Sequence, residues 1–161
     1  MFVLLWIGLA APQMQGDAFA AKAWGHFVRR PALARRPSES VDIATHGGTP
    51  DHPDYLLRLT TRALGDVPVI RWLDSRTCPA VRDSLAKLSA LTAPRLAPPG
   101  FAPRPTMMMM DGVDYSLTVP AEDRSGASRL TWTSNVGTPL AAWVDATLAA
   151  LVACWTSREP D

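Results

Sequence analysis

Apolar and polar positions alternate along DYLLRLTTR: Tyr55, Leu57, Leu59 and Thr61 fall on one side of an extended chain, while Arg58, Thr60 and Arg62 fall on the other with Leu56. A period of two marks a half-buried strand. After the turn-forming ALGD, the β-branched content of VPVIRWLD predicts a second strand, with Pro68 at an edge or bulge, and the two read as a hairpin. At Pro79 the period becomes helical. Val81, Leu85, Leu88 and Leu91 share a stripe, Asp83 and Lys87 form an i, i+4 pair, and Pro94 ends the segment. Proline at the first helical position makes Cys78 the expected N-cap. A second helix begins at Thr138-Pro139 and runs through LAAWVDATLAALVACW. Its stripe is Leu140, Val144, Leu148, Leu151 and Trp155, widened by Trp143 and Val152, with Asp145 as the only charge, so the helix is expected to be mostly buried.

Between the helices, MMMMDGVDYSLTVP carries Asp-Gly between apolar runs, the preferred type I′ hairpin turn because both central residues take positive φ. With Asp111 and Gly112 in the turn, Met110 pairs with Val113, Met109 with Asp114, Met108 with Tyr115 and Met107 with Ser116. Cross-strand partners share a face. Val113, Tyr115, Leu117 and Val119 form the apolar set, which leaves Met107 and Met109 beside Asp114 and Ser116 on the outer face. RLTWTSN adds one more alternating strand, with Leu130 and Trp132 inward. The order is ββ-α-βββ-α: an α+β domain in which an antiparallel sheet of about five strands packs against two antiparallel helices.

The N-terminus reads differently. Phe2 to Ala11 form an uncharged apolar run of signal-peptide length, and Ala18-Phe19-Ala20 offers a small-x-small cleavage site before Ala21, although no Lys or Arg precedes the run. The run is shorter than the roughly 20 residues needed to span a bilayer, which favours export over an anchor. Residues 21–53 contain RRPALARRPSES and THGGTPDHPDY, dense in Pro, Arg, Ser and Gly, and are expected to be a poorly ordered linker. The expected organisation is therefore a signal peptide at 1–20, a linker at 21–53, one domain at 54–155 and a tail at 156–161.

With 161 residues, 47% apolar and 19% charged, the chain has the composition of a single globular domain. Its net charge of +1 gives no electrostatic footprint for nucleic acid. Arginine dominates the basic residues, Lys22 and Lys87 being the only lysines, a bias that suggests a GC-rich bacterial source. His46, Asp51, His52 and Asp54 are residue types that bind metals, but they sit on a prolyl loop without helical i, i+4 spacing, so no metal and no cofactor are expected. Ser84-Leu85-Ala86-Lys87 matches S-x-x-K without its companion motifs, and no P-loop or G-x-S-x-G occurs. All three histidines precede the expected domain. The chain is therefore expected not to be an enzyme, unless a cysteine supplies the chemistry.

Two cysteines, Cys78 and Cys154, leave two readings. In the first, antiparallel helices of similar length bring the start of one beside the end of the other, and the cysteines form a disulfide, as export favours. In the second, Cys78 is a catalytic thiol whose pKa is lowered at a helix N-terminus. VIRWLDSRTCPAV, with Gly137-Thr138-Pro139 further on, resembles the active-site entrance of thioredoxin-like proteins, and that resemblance implies a thiol oxidoreductase using Cys78. The chain departs from the family where Val81 stands in place of the second cysteine of C-x-x-C and where Gly137-Thr138-Pro139 opens a helix rather than a strand. The same antiparallel layout separates Asp74-Ser75-Arg76 from Ser134-Asn135 by about 20 Å, too far to cooperate in catalysis.

From about Asp74 to Trp155, CPAVRDSLAKL, the Asp-Gly hairpin and SNVGTPLAAWVDATLAALVACW together resemble small, uncharacterised exported bacterial proteins. That resemblance implies a compartment, periplasmic or secreted, and no particular activity. The functional expectation is a disulfide-stapled binding module whose outer sheet face, at Met107, Met109, Asp114 and Ser116, contacts another envelope protein or a small ligand, since soft methionines suit an adaptable surface. The thiol oxidoreductase is the alternative.

Overall fold

The computed structural model of the chain describes residues 17–33, 36–92, 112–121 and 128–160. A short helix α1 (Ala18–Lys22) leads into four consecutive antiparallel strands, β1 (Gly25–Pro31), β2 (Ser38–Gly48), β3 (Pro53–Arg62) and β4 (Val69–Asp74). Helix α2 (Ala80–Leu88) follows, then β5 (Val113–Pro120), β6 (Arg129–Ser134), α3 (Pro139–Leu151) and a 3-10 turn at Val152–Cys154. The six strands form one antiparallel sheet in the order β4-β3-β2-β1-β5-β6. It is the expected α+β architecture, with one strand more than anticipated and with α1 added.

The stretch 21–53, expected to be a linker, instead supplies β1 and β2, the two central strands of the sheet. Charges are tolerated there because cross-strand partners satisfy them. Arg29 Nη1 donates to Glu39 Oε2 (3.0 Å), for example, and Arg29 pairs with Glu39 in the ladder. THGGTPDHPDY is the β2–β3 hairpin. Gly48 has φ +77°, and a Cβ there would come within 2.4 Å of the His52 carbonyl oxygen, so the turn demands glycine. The domain thus begins well before Asp54, and the C-terminal tail joins it too, since Thr156 bridges to Trp72 on the edge strand β4 with N···O distances of 2.7 and 2.8 Å.

The expected Met-strand hairpin is also corrected. Met107 to Asp111 lie outside the described residues, and two of the four positions the hairpin requires are taken: Tyr115 and Ser116 pair with Arg29 and Val28 on one side and with Ser134 and Thr133 on the other. A strand hydrogen-bonded on both edges has no ladder left to offer.

Both helices cover one face of the sheet. Phe27, Val41, Ile43, Leu57, Leu59, Leu73, Tyr115 and Leu117 project from the strands and meet Val81, Leu140, Trp143, Val144 and Leu151 from the helices. Leu57 and Leu59 bear out the face assigned to them by alternation. Leu130, expected inward, is 47% exposed because β6 is the outermost strand. Thr138 caps α3 as expected, its Oγ1 accepting from Ala141 N (3.2 Å). The single charge of α3, Asp145, faces a partner rather than water alone: Tyr115 Oη donates to Asp145 Oδ2 (2.8 Å), and Arg29 Nε lies 2.9 Å from Oδ1. Trp143 Nε1 donates to the Ser84 carbonyl (2.9 Å) and ties α3 to α2. Helix α2 starts at Ala80, with Pro79 rather than Cys78 as its N-cap, and stops at Leu88, short of Pro94.

Cys78 and Cys154 are joined, with Cα atoms 6.0 Å apart and a sequence separation of 76. Closing such a loop stabilises a domain by about 4 kcal/mol in the chain-entropy model. Replacing both cysteines with serine is therefore expected to lower unfolding free energy by about that amount, read from urea denaturation midpoints. Alkylation of the unreduced, unfolded protein is expected to leave its mass unchanged; a gain of two labels would show the thiols free.

Candidate functional site

The face opposite the helices carries the polar half of each strand. Ladder register lines up Trp72, Arg58, Asp42, His26, Thr118 and Thr131 in one row across all six strands. The next row is Ile70, Thr60, Ser40, Val28, Ser116 and Thr133. Period two makes such rows unavoidable once the register is set: residues that face away from the core on neighbouring strands must be neighbours.

At the centre of the first row is a chain of ionic contacts. His26 Nδ1 lies 2.7 Å from Asp42 Oδ1, while Arg58 donates to Asp42 Oδ2 through Nη2 (2.6 Å) and Nε (3.2 Å). Arg58 Nη1 pairs in turn with Asp17, the residue that caps α1 by accepting from Phe19 N (3.1 Å) and Ala20 N (3.3 Å). Arg58 and Asp42 are each only 7% exposed. Burial of Asp42 works to raise its carboxyl pKa, but hydrogen bonds from His26 and Arg58, with their charge, outweigh it and hold the group below the ordinary value of 3.8. Asp17 is lowered in the same way: burial opposes, and Arg58 with the two α1 amides prevails. Desolvation would lower Arg58, yet its two carboxylate partners keep it raised.

Two shallow depressions flank the centre of this face. One, of about 380 Å³, is lined by His26, Val28, Arg30, Ser40, Thr60 and Arg62. The other, of about 390 Å³, is lined by Val28, Arg30, Asp114, Ser116, Thr133 and Asn135. They meet at Val28 and Arg30. Together they offer guanidinium donors, hydroxyls that donate or accept, the carboxylates of Glu39 and Asp114 and an apolar contact at Val28, a set suited to holding a polar ligand or a strand-like partner.

Among the residues singled out from sequence, Asp114 and Ser116 do share the outer face and one depression. Met107 and Met109 lie outside the described residues, and Ser116, the partner expected for Met107, is paired with Val28 and Thr133 instead. Cys78 is 2% exposed and its sulfur is bonded to Cys154, so it offers no free thiolate. Asp54 is held by Arg82 on α2. Ser84 is buried at the α2–α3 contact, while Lys87 is exposed, so the S-x-x-K match forms no cleft. Asp74 binds Arg76 (2.8 Å, Oδ2 to Nε) beside the disulfide, whereas Ser134 and Asn135 serve Thr138 at the start of α3.

His26, Asp42 and Arg58 went unrecognised as a group. Their signal was present: HFVRR and ESVDIAT alternate with the same period as DYLLRLTTR, and three strands in register bring the middle polar residues together. Comparison with protein-family models, with curated proteins and with solved structures finds no match to this chain.

Both carboxylates on Arg58 have depressed pKa values, so their stabilisation is complete above the ordinary carboxylate value of 3.8 and is lost as pH falls through the lowered ones. Asp42→Asn is expected to cost about 3 kcal/mol at neutral pH, because it weakens the charge pairing of a buried guanidinium. It should also flatten the decline in Tm below about pH 4, measured by circular dichroism melts. An unchanged acid limb would show that Asp42 is not one of the groups that titrate there.

Proposed function

We propose that this chain is an exported, disulfide-stapled binding module, periplasmic or secreted, that takes its partner on the outer sheet face. The observation that carries the reading is the division between the two faces: α2 and α3 cover one, and on the other, beside the α1 segment, the depressions around Val28 and Arg30 are open and lined with unlike polar groups. The covalent link between Cys78 and Cys154 supports the compartment, since such bonds persist in oxidising surroundings and are rare in cytosol. Among the described residues no helix is long and apolar enough to cross a membrane. The partner is another envelope protein or a small ligand, held by Arg30, Asp114 and Ser116 rather than by a covalent step.

Fractionation of a bacterial host expressing the full chain tests the compartment. Recovery outside the cytoplasm with the disulfide closed is the expected result, and a cytoplasmic, thiol-bearing chain would overturn it. For the surface, Asp114→Lys combined with Ser116→Arg is expected to abolish crosslinking to whatever the wild-type chain captures in the envelope fraction. Both side chains project from the outer face, so stability should change by less than about 0.5 kcal/mol.

A further inference from the structure

Helix α1 spans the cleavage point that the sequence offers before Ala21, and two residues through which this segment contacts the sheet, its N-cap Asp17 and Phe19, lie on the side that cleavage would remove. Their seat is well defined. Asp17 pairs with Nη1 of Arg58, the edge of the guanidinium that Asp42 leaves unused. The Phe19 ring meets Trp72 edge to face, with centroids 4.9 Å apart, and the Arg58 guanidinium carbon stands 5.1 Å from the Phe19 centroid and 5.9 Å from that of Trp72. Ala44 and Leu56, which ladder register puts on the same face, are buried although they lie outside the helix-side core.

Resting on the exported reading above, we propose that processing before Ala21 opens a binding site for a peptide that carries a carboxylate two residues before an aromatic ring, the chemistry that Asp17 and Phe19 present in the precursor. Once those residues leave, Arg58 keeps Asp42 as its anchor while its Nη1 edge loses its carboxylate and opens beside Trp72, an oriented guanidinium suited to donating a charge-assisted hydrogen bond to another carboxylate. Trp72 loses its aromatic neighbour and becomes an apolar surface beside a cation, a setting that favours another ring. His26 holds the far oxygen of Asp42 and so fixes the angle at which Arg58 points. The site is thus occupied in cis before export and free after it.

The test uses the full chain, secreted by a bacterial host, with its N-terminus read by intact mass. A synthetic peptide, PQMQGDAFA, spanning residues 12–20, is titrated into the secreted protein by calorimetry. Saturable binding is expected, weakened at least tenfold when the peptide carries Asp17→Asn or Phe19→Ala, changes that leave the protein itself untouched. A full-length chain whose cleavage is blocked by Ala20→Tyr is expected not to bind the peptide, because its own segment fills the seat. No binding to a chain that begins at Ala21, or equal binding of the altered peptides, overturns the inference while the exported reading stands. An exported chain that retains residues 17–20 does the same. A chain that never leaves the cytoplasm defeats both.

Discussion

One bond between Cys78 and Cys154 decides where both helices lie. It joins the residue before the first turn of α2 to the last residue of the 3-10 turn that ends α3, and so holds the start of one helix beside the end of the other. Two residues beyond it, Thr156 pairs with Trp72 and closes the exposed edge of β4. Helix, strand edge and C-terminus are thereby gathered at one corner of the domain. Trp143, reaching from α3 to the Ser84 carbonyl, completes the lock, and the apolar residues of β1, β2, β3 and β5 fill the space beneath.

With the helices confined to one side, the other half of each strand is left to different chemistry. Residues that alternate with the core set form rows of hydroxyls and charges, and in one row a carboxylate is shared between an imidazole and a guanidinium. Such a row is costly to bury and is held here by mutual pairing rather than by packing. The N-terminal segment uses the same row as its seat, through Asp17 and Phe19. The open depressions lie beyond it, around Val28 and Arg30, where hydroxyls replace the ionic contacts.

Much of the fold was legible where one residue pattern dominated. DYLLRLTTR and RLTWTSN alternate and VPVIRWLD is rich in β-branched residues, and they became β3, β6 and β4, while Thr138-Pro139 capped α3 as proline chemistry requires. The cysteine pairing followed from helix lengths and polarity. Two errors share one cause. Arginine and proline around 29–37 and serine around 38–40 resemble a solvated linker by composition, so β1 and β2 were overlooked despite Val41 and Ile43 alternating with Ser40 and Asp42. The Asp-Gly signal at 111–112 suggested a hairpin because turn chemistry is local, yet β5 takes its neighbours from β1 and β6, one distant in sequence and one following. The candidate site shows the same division: Asp114 and Ser116 were readable as outward residues of a strand, whereas His26, Asp42 and Arg58 belong together only after three strands are set in register.

By itself, then, the sequence determined the kinds and faces of most elements after Asp54 and offered the disulfide as one of two readings of its cysteines, because periodicity, caps and cysteine count act over a few residues or through one bond. Tertiary structure alone decided strand order, and with it the row from Trp72 to Thr131, the seat of α1 and the meeting of the two depressions at Arg30. Strand neighbours are chosen by the burial of a whole face at once, a cooperative term that no short stretch of residues contains.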